Sequence, residues 1–233
     1  MKNSTDAMMK TKLLNAYDWL LIAGIVAANL VYSILTQTID VLGTVTAISG
    51  VLCVVLVAKG SILNYFFGLI NVSLYAYVSF KATAYGDAAL NALYYLPMQF
   101  IGYFAWKRRV NDTQVKARRL TAGQRMLVAV GCVAAVVAVG FILQYCGAGQ
   151  PFKDSATTVL SIVAQILMAM AFMEQWVLWI LTNVISVVMW VIFAMQGEPH
   201  AGMMVIMWVF YLLNSLNGLR VWLKLSAADD AEN

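Results

Sequence analysis

Residues 175–196 read QWVLWILTNVISVVMWVIFAMQ, an apolar stretch without Asp, Glu, Lys or Arg. About 20 apolar residues in a helix cross the hydrocarbon core of a bilayer, because each residue adds about 1.5 Å. Unpaired backbone groups are too costly in hydrocarbon, so such a stretch is either a helix or a strand of a closed barrel. It is about twice as long as a barrel strand and lacks the alternation of one, so the sequence predicts a membrane-spanning helix.

The composition of the whole chain agrees with this interpretation. Of the 233 residues, 62% are hydrophobic and 11% are charged, and the mean hydropathy is +0.79. A soluble domain has about 25% charged residues, so this chain has too little polar surface for a soluble enzyme, a nucleic-acid-binding protein or a secreted disulfide-linked domain. Three cysteines without CxxC spacing and one histidine, His200, indicate no metal site, and we expect no cofactor.

Seven further stretches are similarly long and apolar, which gives eight predicted spans: 17–37, 40–59, 61–80, 86–106, 124–145, 155–173, 175–196 and 201–224. Short polar turns separate most of them, and the one long connection is the basic segment 107–123. We therefore predict an all-α polytopic membrane protein with eight transmembrane helices. The first span follows basic residues, but it is longer than a signal-peptide core of about 7–15 residues, so we expect it to be retained.

The positions of the basic residues predict the orientation. With eight spans, both termini and the even-numbered loops share one side, which carries thirteen of the 15 Lys and Arg residues. Only Lys81 and Lys153 lie on the other side. By the positive-inside rule both termini are cytoplasmic, and we expect a multi-pass protein of the plasma (inner) membrane. The net charge of +4 thus reflects topology and indicates no nucleic-acid partner.

Spans two to four resemble spans six to eight. Aligning NYFFGLIN (64–71) with WVLWILTN (176–183) matches Asn64, Phe67 and Asn71 with Trp176, Trp179 and Asn183. Further along, Tyr95, Gly102 and Trp106 match Tyr211, Gly218 and Trp222. Three helices plus one linking helix restore the orientation, so the repeats would be parallel, as in SWEET-type carriers. The alternative is chance similarity between apolar helices.

The repeat divides the chain into seven predicted segments. They are a cytoplasmic N-terminus (1–16), an extra first helix (17–39), a first three-helix repeat (40–106), a basic cytoplasmic loop (107–123), a linker helix with an external loop (124–150), a second three-helix repeat (151–224) and a cytoplasmic tail (225–233), which we expect to be disordered.

Four neutral amides fall near the middle of predicted spans: Asn71, Gln99, Asn183 and Asn214. A buried amide without a partner is costly in hydrocarbon, so these groups face one another, water or a ligand. Aromatic residues share their helix faces: Tyr75, Tyr95, Trp176, Trp179 and Tyr211. We expect a polar cavity, with interhelical hydrogen bonding as the alternative. Trp19, Trp106 and Trp222 lie at span ends and are assigned to the interfacial aromatic belt.

The spans carry no charged residue near their middle, which argues against a proton-coupled pump, an intramembrane hydrolase and a phosphate site. Aromatic faces attract positive charge and stack on flat rings, and amides bind carboxamides or sugar hydroxyls. This combination favours a flat neutral or cationic heteroaromatic solute.

The stretch QWVLWILTN, with Trp176, Trp179 and Asn183 in the pattern W-x-x-W-x-x-x-N, resembles the PnuC-type vitamin transporter family. The segments NYFFGLIN and YGDAALNALYYLPMQFIGYFAW also resemble it, and the similarity extends from about residue 40 to about residue 224. The resemblance implies that Trp176 and Asn183 contact the substrate, with Trp179 beside them. The position and face of Asn71, Tyr75, Tyr95, Gln99, Tyr211 and Asn214 add those residues to the candidate site.

The resemblance also implies a SWEET-like arrangement of three, one and three helices behind an extra first helix, assembled as a homotrimer. It implies import of nicotinamide riboside for NAD synthesis by facilitated diffusion with alternating access, made effective by a cytosolic kinase that traps the substrate. Relatives carry thiamine or riboflavin, and the sequence does not separate these vitamins. A non-transporting membrane subunit and a secondary active transporter remain alternatives, while no residue suggests an enzyme.

Overall fold

The computed structural model describes residues 14–37, 39, 41–81, 88–111, 114–147, 151–196 and 201–232. Within these residues the chain forms eight helices and one small hairpin. The elements are α1 (Ala16–Thr36), α2 (Val41–Ala58), α3 (Asn64–Lys81), α4 (π-helical Leu90–Tyr95 followed by α-helical Leu96–Lys107), β1 (Val110–Asn111), β2 (Gln114–Val115), α5 (Ala122–Tyr145), α6 (Pro151–Ala169), α7 (Gln175–Met195) and α8 (Ala201–Glu232).

Six of the helices surround a common interior. Helix α3 packs against α2 and α4, α7 packs against α6 and α8, and two further contacts, α2 with α8 and α4 with α6, join the two groups. Helix α1 packs outside this ring on α2 and α8, and α5 packs outside it on α6. We call α2–α4 the first half and α6–α8 the second half.

The predicted helical fold is confirmed, and four of the eight helices are long and apolar enough to cross a bilayer. Among the described residues these segments are Ala16–Leu35, Val41–Ala58, Ala122–Tyr145 and Gln175–Ile192. Polar faces lower the hydropathy of the others. On α6, for example, Thr157, Ser161 and Gln165 follow one another at intervals of four residues, which places them on one side of the helix.

Several predicted boundaries are wrong. Helix α6 ends at Ala169 rather than 173, because Ala171 adopts a left-handed conformation (φ 60°) that terminates it. Helix α8 continues to Glu232, where we expected a disordered tail. The basic loop contains the antiparallel hairpin of β1 and β2. The predicted N-terminal segment up to residue 13, Asp40 and the turn containing His200 lie outside the described residues.

Helix α4 changes its winding before a proline. Pro97 has no N–H group to continue the hydrogen-bond ladder, and the N–H of Leu96 donates to the carbonyl of Asn91, five residues earlier. Such wide turns are common at functional sites, and this one carries Asn91 and Tyr95 into the interior.

The two halves make matching contacts at the end of the molecule that carries the basic loop, which we call the loop end. The N–H of Gly60 donates to the carbonyl of Val57, and the N–H of Ala171 donates to the carbonyl of Met168, both at 2.9 Å. Gly60 and Ala171 both have positive φ angles, 63° and 60°. The turn between α2 and α3 therefore has the same backbone geometry as the turn between α6 and α7.

Aromatic residues repeat this correspondence. The ring of Tyr65 lies against Gly102, and the ring of Trp176 lies against Gly218. Tyr65 therefore corresponds to Trp176, one residue away from the predicted pairing of Asn64 with Trp176. The pairing of Gly102 with Gly218 agrees with the sequence alignment.

Trp106 and Trp222 do not belong to an interfacial belt. Both are fully buried, and their rings lie 5.8 Å apart between centroids. At the loop end these two rings belong to the packed protein core and do not face lipid. Trp19 is 58% exposed on α1, which agrees with its predicted place.

Helix α1 is fixed at the loop end by a buried ion pair. The Lys59 ammonium lies 2.6 Å from the Asp18 carboxylate, and the side chain of Asp18 is fully buried. Asp18 also accepts a hydrogen bond from the N–H of Asn15 as part of a capping box. The outer helix thus starts from a charged anchor at the end of α2.

Candidate functional site

A cavity of about 250 Å³ lies between the six inner helices. Each of these helices contributes at least four lining residues, and α1 and α5 contribute none of those that line it. Ligand pockets usually measure about 300–1,000 Å³, so a cavity of this size suits a small solute rather than a dinucleotide or a lipid.

Eight of the nine predicted site residues line this cavity: Asn71, Tyr75, Tyr95, Gln99, Trp176, Trp179, Asn183 and Tyr211. They come from α3, α4, α7 and α8, so the structure brings together faces that the sequence could only place at a common depth. Trp176 is nearly fully buried and Trp179 is half-buried.

Asn214 is the exception, because it is not among the residues that line the cavity. Its side chain is 1% exposed and its amide nitrogen donates to the carbonyl of Val54 at 2.8 Å, which joins α8 to α2. On a helix, neighbouring positions point about 100° apart, and it is the next residue, Ser215, that lines the cavity.

The cavity amides are held by hydrogen bonds, two of them between neighbouring helices and one within α4. The amide nitrogen of Asn183 donates to the hydroxyl of Ser215 at 2.7 Å, and that of Asn71 donates to the carbonyl of Thr46 at 2.8 Å. The nitrogen of Gln99 donates to the carbonyl of Tyr95 at 3.3 Å. The interhelical bonds predicted as the alternative to a cavity are therefore present at two of the residues that line it, Asn71 and Asn183.

Some buried polar atoms of the lining have no hydrogen-bond partner among the described residues. They are Oε1 of Gln99, Nε2 of Gln165, Nε1 of Trp176, Oγ1 of Thr182 and Nε1 of Trp208. Buried polar atoms are nearly always hydrogen-bonded, so a cluster of unpaired donors and acceptors around one cavity indicates a site for a polar solute.

Aromatic rings form the wall on the side of the second half. Besides Trp176 and Trp179, the lining includes Trp190 on α7 and Trp208 on α8. Trp208 and Tyr211 contact each other edge to face, with centroids 5.6 Å apart. This wall offers several ring faces and edges for stacking.

The polar face of α6 is part of the cavity, although the sequence did not single it out. Thr157, Thr158, Ser161 and Gln165 all line the cavity. Their spacing of three to four residues along an apolar span was visible in the sequence, but hydroxyl groups are common in membrane helices and give a weaker signal than an amide.

The site is uncharged. Among the described residues, those that line the cavity include no Asp, Glu, Lys, Arg or His, and no group of three potential metal ligands is found in the same part of the chain. An unpaired anion buried here would lose its hydration without gaining a counter-charge. A flat ring with a neutral or positive charge would meet amides, hydroxyls and aromatic faces.

A model of the nicotinamide mononucleotide transporter family matches residues 40–224, which include five of the six inner helices and most of α8. The chain belongs to this family. The predicted resemblance is thereby confirmed, and the protein is a membrane transporter rather than an enzyme.

Curated relatives of the chain support its assignment to this family. The nicotinamide riboside transporter PnuC of Neisseria mucosa is 40% identical over 190 residues, which cover 79% of this chain and 72% of that protein. PnuC of Haemophilus influenzae is 41% identical and covers 79% and 80%. PnuC of Escherichia coli is 34% identical and covers 80% and 85%.

A solved structure shows the same fold. The crystal structure of the vitamin B3 transporter PnuC superposes with a TM-score of 0.79 at 36% identity, covering 92% of this chain and 94% of that one. The likeness to this solved transporter therefore extends over nearly the whole chain.

Proposed function

We propose that this protein imports nicotinamide riboside across the plasma membrane by facilitated diffusion. The observation that carries the proposal is the uncharged cavity, in which aromatic rings from α7 and α8 face unpaired amide groups from α4 and α6. The similar PnuC proteins are named for nicotinamide riboside.

The cavity favours the riboside over the mononucleotide for which the family is named. The two differ by one phosphate, which carries nearly two negative charges at neutral pH. With no cation among the described lining residues, that phosphate would be buried without a partner. The nicotinamide ring itself is cationic and suits the faces of Trp176, Trp179 and Trp208.

The two cavity glutamines suit a carboxamide. Gln99 presents an unpaired acceptor and Gln165 an unpaired donor, which is the complement of a group that donates through its NH₂ and accepts through its oxygen. We assign Asn71, Tyr75, Tyr95, Asn183 and Tyr211 to the same binding site, where the amides and hydroxyls also suit the ribose.

We propose that all eight helices cross the membrane, with both termini in the cytoplasm. The matching turns at Gly60 and Ala171 and the matching contacts of Tyr65 and Trp176 support a parallel repeat of three helices on each side of the linker α5. Helix α1 is then the extra first helix of a SWEET-like fold. Family resemblance adds a homotrimer.

Transport by alternating access without ion coupling fits a cavity whose described lining residues include no Asp, Glu, His, Lys or Arg. A uniporter only equilibrates its substrate, so net import requires a cytosolic kinase that phosphorylates the riboside. The phosphorylated product then no longer fits the uncharged site.

Titration calorimetry on the purified protein tests the substrate. Nicotinamide riboside should bind saturably, while nicotinamide mononucleotide, thiamine and riboflavin should not bind. Mononucleotide binding as tight as that of the riboside would contradict the site assignment. Binding of thiamine or riboflavin alone would make the protein a carrier of that vitamin, and silence for all four would favour a non-transporting subunit.

Proteoliposomes without a kinase test the mechanism. With the membrane potential clamped to zero, because the riboside is a cation, labelled riboside should equilibrate across the membrane without accumulating, and a proton or sodium gradient should leave the final level unchanged. Accumulation above the external concentration in such a gradient would instead show secondary active transport.

A further inference from the structure

A chain of aromatic rings closes the cavity at the loop end. Tyr65, Trp106, Trp222 and Trp176 follow one another, with centroid distances of 5.3 Å, 5.8 Å and 6.2 Å. All four side chains are at most 3% exposed. We call them the ring cluster. It packs against Val57 and Met168, which line the cavity together with Trp176, so the cluster is the wall between the cavity and the loop end.

The ring cluster joins the two halves through reciprocal hydrogen bonds. The indole N–H of Trp106, in the first half, donates to the carbonyl of Met168 in the second half at 2.8 Å. The indole N–H of Trp222, in the second half, donates to the carbonyl of Val57 in the first half at 3.1 Å. Any separation of the halves at this end must break both bonds.

Residues 114–121 of the basic loop cover the ring cluster, and we call this segment the strap. Val115 and Ala117 are buried within the same core as the rings. On the side of the first half, the N–H of Val115 donates to the carbonyl of Gly60 at 2.9 Å, and the N–H of Lys116 donates to the carbonyl of Arg109 at 3.1 Å, within the hairpin that follows α4.

The strap holds the second half by more bonds. The N–H of Arg118 donates to the carbonyl of Ala171 at 2.7 Å, and the N–H of Met173 donates to the carbonyl of Arg118 at 2.9 Å. The guanidinium of Arg118 lies 4.3 Å from the ring centre of Phe172. Arg119 donates to the hydroxyl of Ser226 at 2.7 Å and to the carbonyl of Leu223 at 2.8 Å, both on α8.

The strap also contacts Glu174, which lies in the turn between α6 and α7. Glu174 accepts from the N–H of Leu120 at 3.1 Å and from the guanidinium of Arg125 at 2.8 Å. Apart from the hairpin, the strap therefore makes more hydrogen bonds with the second half than with the first, where the bond from Val115 to Gly60 joins it to the turn between α2 and α3.

We propose that the ring cluster and the strap form the loop-end gate of the transporter, and that the gate opens between the strap and the first half. The contact between Val115 and Gly60 breaks, together with the crossed bonds of Trp106 and Trp222, while the strap moves with the second half. This inference rests on the proposed transport by alternating access and specifies which contacts separate.

Cys53 provides a native reporter for the gate. It lines the cavity on α2, and it would be the only cysteine left after the substitutions C132A and C146S. In this background the rate at which a membrane-impermeant maleimide labels Cys53 measures access to the cavity from each side. Inside-out vesicles expose the loop end, and right-side-out vesicles expose the opposite end.

The test variants are Trp106→Phe and Trp222→Phe, which keep a ring and remove one crossed hydrogen bond, and Val115→Asn, which places a polar group in the apolar core. Each should accelerate labelling of Cys53 in inside-out vesicles about two- to tenfold, the factor expected for one lost hydrogen bond. Labelling in right-side-out vesicles should not increase. Val110→Asn, on the strand paired with Val115, is the matched control and should leave both rates unchanged.

Unchanged labelling in the Trp→Phe variants would overturn the gate. An equal increase from both sides would also overturn it, because that indicates general loosening. If Val110→Asn and Val115→Asn accelerate the labelling of Cys53 equally, the strap is not part of the gate. If Val115→Asn does not fold, Val115→Ala replaces it. The readout needs no substrate, so it is separate from a failure of nicotinamide riboside to bind.

Discussion

The two halves of the molecule are alike at the loop end and different around the cavity. At the loop end Trp106 and Trp222 make reciprocal hydrogen bonds, and the turns at Gly60 and Ala171 share one backbone conformation. In the cavity, counting forward from the matched pair Tyr65 and Trp176, Gly68 corresponds to Trp179 and Val72 to Asn183.

This difference follows from what each end has to do. The gate is a contact of one half with the other, so similar residues on both sides give a symmetric closure. A nucleoside has a ring at one end and a sugar at the other, so its site needs unlike walls. On the first half, the side chains of Gln99 and Cys53 pack closely against Gly68, whereas α7 and α8 of the second half provide the aromatic wall.

The largest expected effect comes from making the two walls alike. Gly68→Trp introduces a tryptophan into α3 at the position that corresponds to Trp179 of α7. At this position even a Cβ atom would collide with the side chain of Gln99. The added ring must occupy the cavity, so binding of nicotinamide riboside should be lost in titration calorimetry. Gly131→Trp, on α5 with no atom near its Cβ position, is the control and should bind as the parent does. Retained binding in Gly68→Trp would place the substrate elsewhere.

A smaller loss should follow removal of the aromatic wall on the second half. Trp179→Ala deletes one ring from the lining, and the stacking and cation–π contact of such a ring contribute about 1–2 kcal/mol. The dissociation constant for nicotinamide riboside should therefore rise about five- to thirtyfold. The matched variant Trp19→Ala removes an exposed ring from α1 and should change affinity less than twofold. Equal effects of the two variants would contradict a cavity role for Trp179.

A still smaller effect should follow at the second unlike pair. Asn183→Ala removes the amide of α7 at the position that corresponds to Val72 of α3. One hydrogen bond contributes about 1 kcal/mol, so the affinity for nicotinamide riboside should fall about fivefold. Asn29→Ala is the control, because Asn29 is also a buried amide, on α1, and donates to the carbonyl of Ile25 outside the cavity. Unchanged riboside affinity in Asn183→Ala would leave this residue a purely structural link to Ser215.

The sequence was informative where one helix face carries a strong signal. The tryptophans and amide of α7 and the amide of α4 lie in the cavity as predicted, because their spacing alone places them on one face. It failed where the answer depends on a rotation of about 100°, which separates Asn214 from Ser215. It also assigned Trp106 and Trp222 to the lipid interface, since only tertiary packing shows that the strap and the other half cover them.

The smallest predicted effect is a change in stability on substitution of Gly60 or Ala171, the residues with positive φ angles in the two matching turns. Comparing variants at such positions separates the effect of backbone strain from the effect of contact with the strap. Gly60→Ala introduces a side chain at φ 63° and places its Cβ 3.3 Å from a methyl carbon of Val115, so the variant should lose about 1 kcal/mol of stability. Ala171→Gly relieves the same backbone strain but removes a fully buried methyl group, and the two terms should nearly cancel.

Gly147→Ala is the matched control for the first substitution, because Gly147 also has a positive φ angle, 82°, yet no atom lies near its Cβ position. Thermal unfolding in detergent should rank Gly60→Ala as less stable than Gly147→Ala, and the difference measures the steric cost of the added methyl group against Val115 of the strap. If the two variants unfold at the same temperature, the strap rests on the first half without stabilising it, and the gate depends on Trp106 and Trp222 alone.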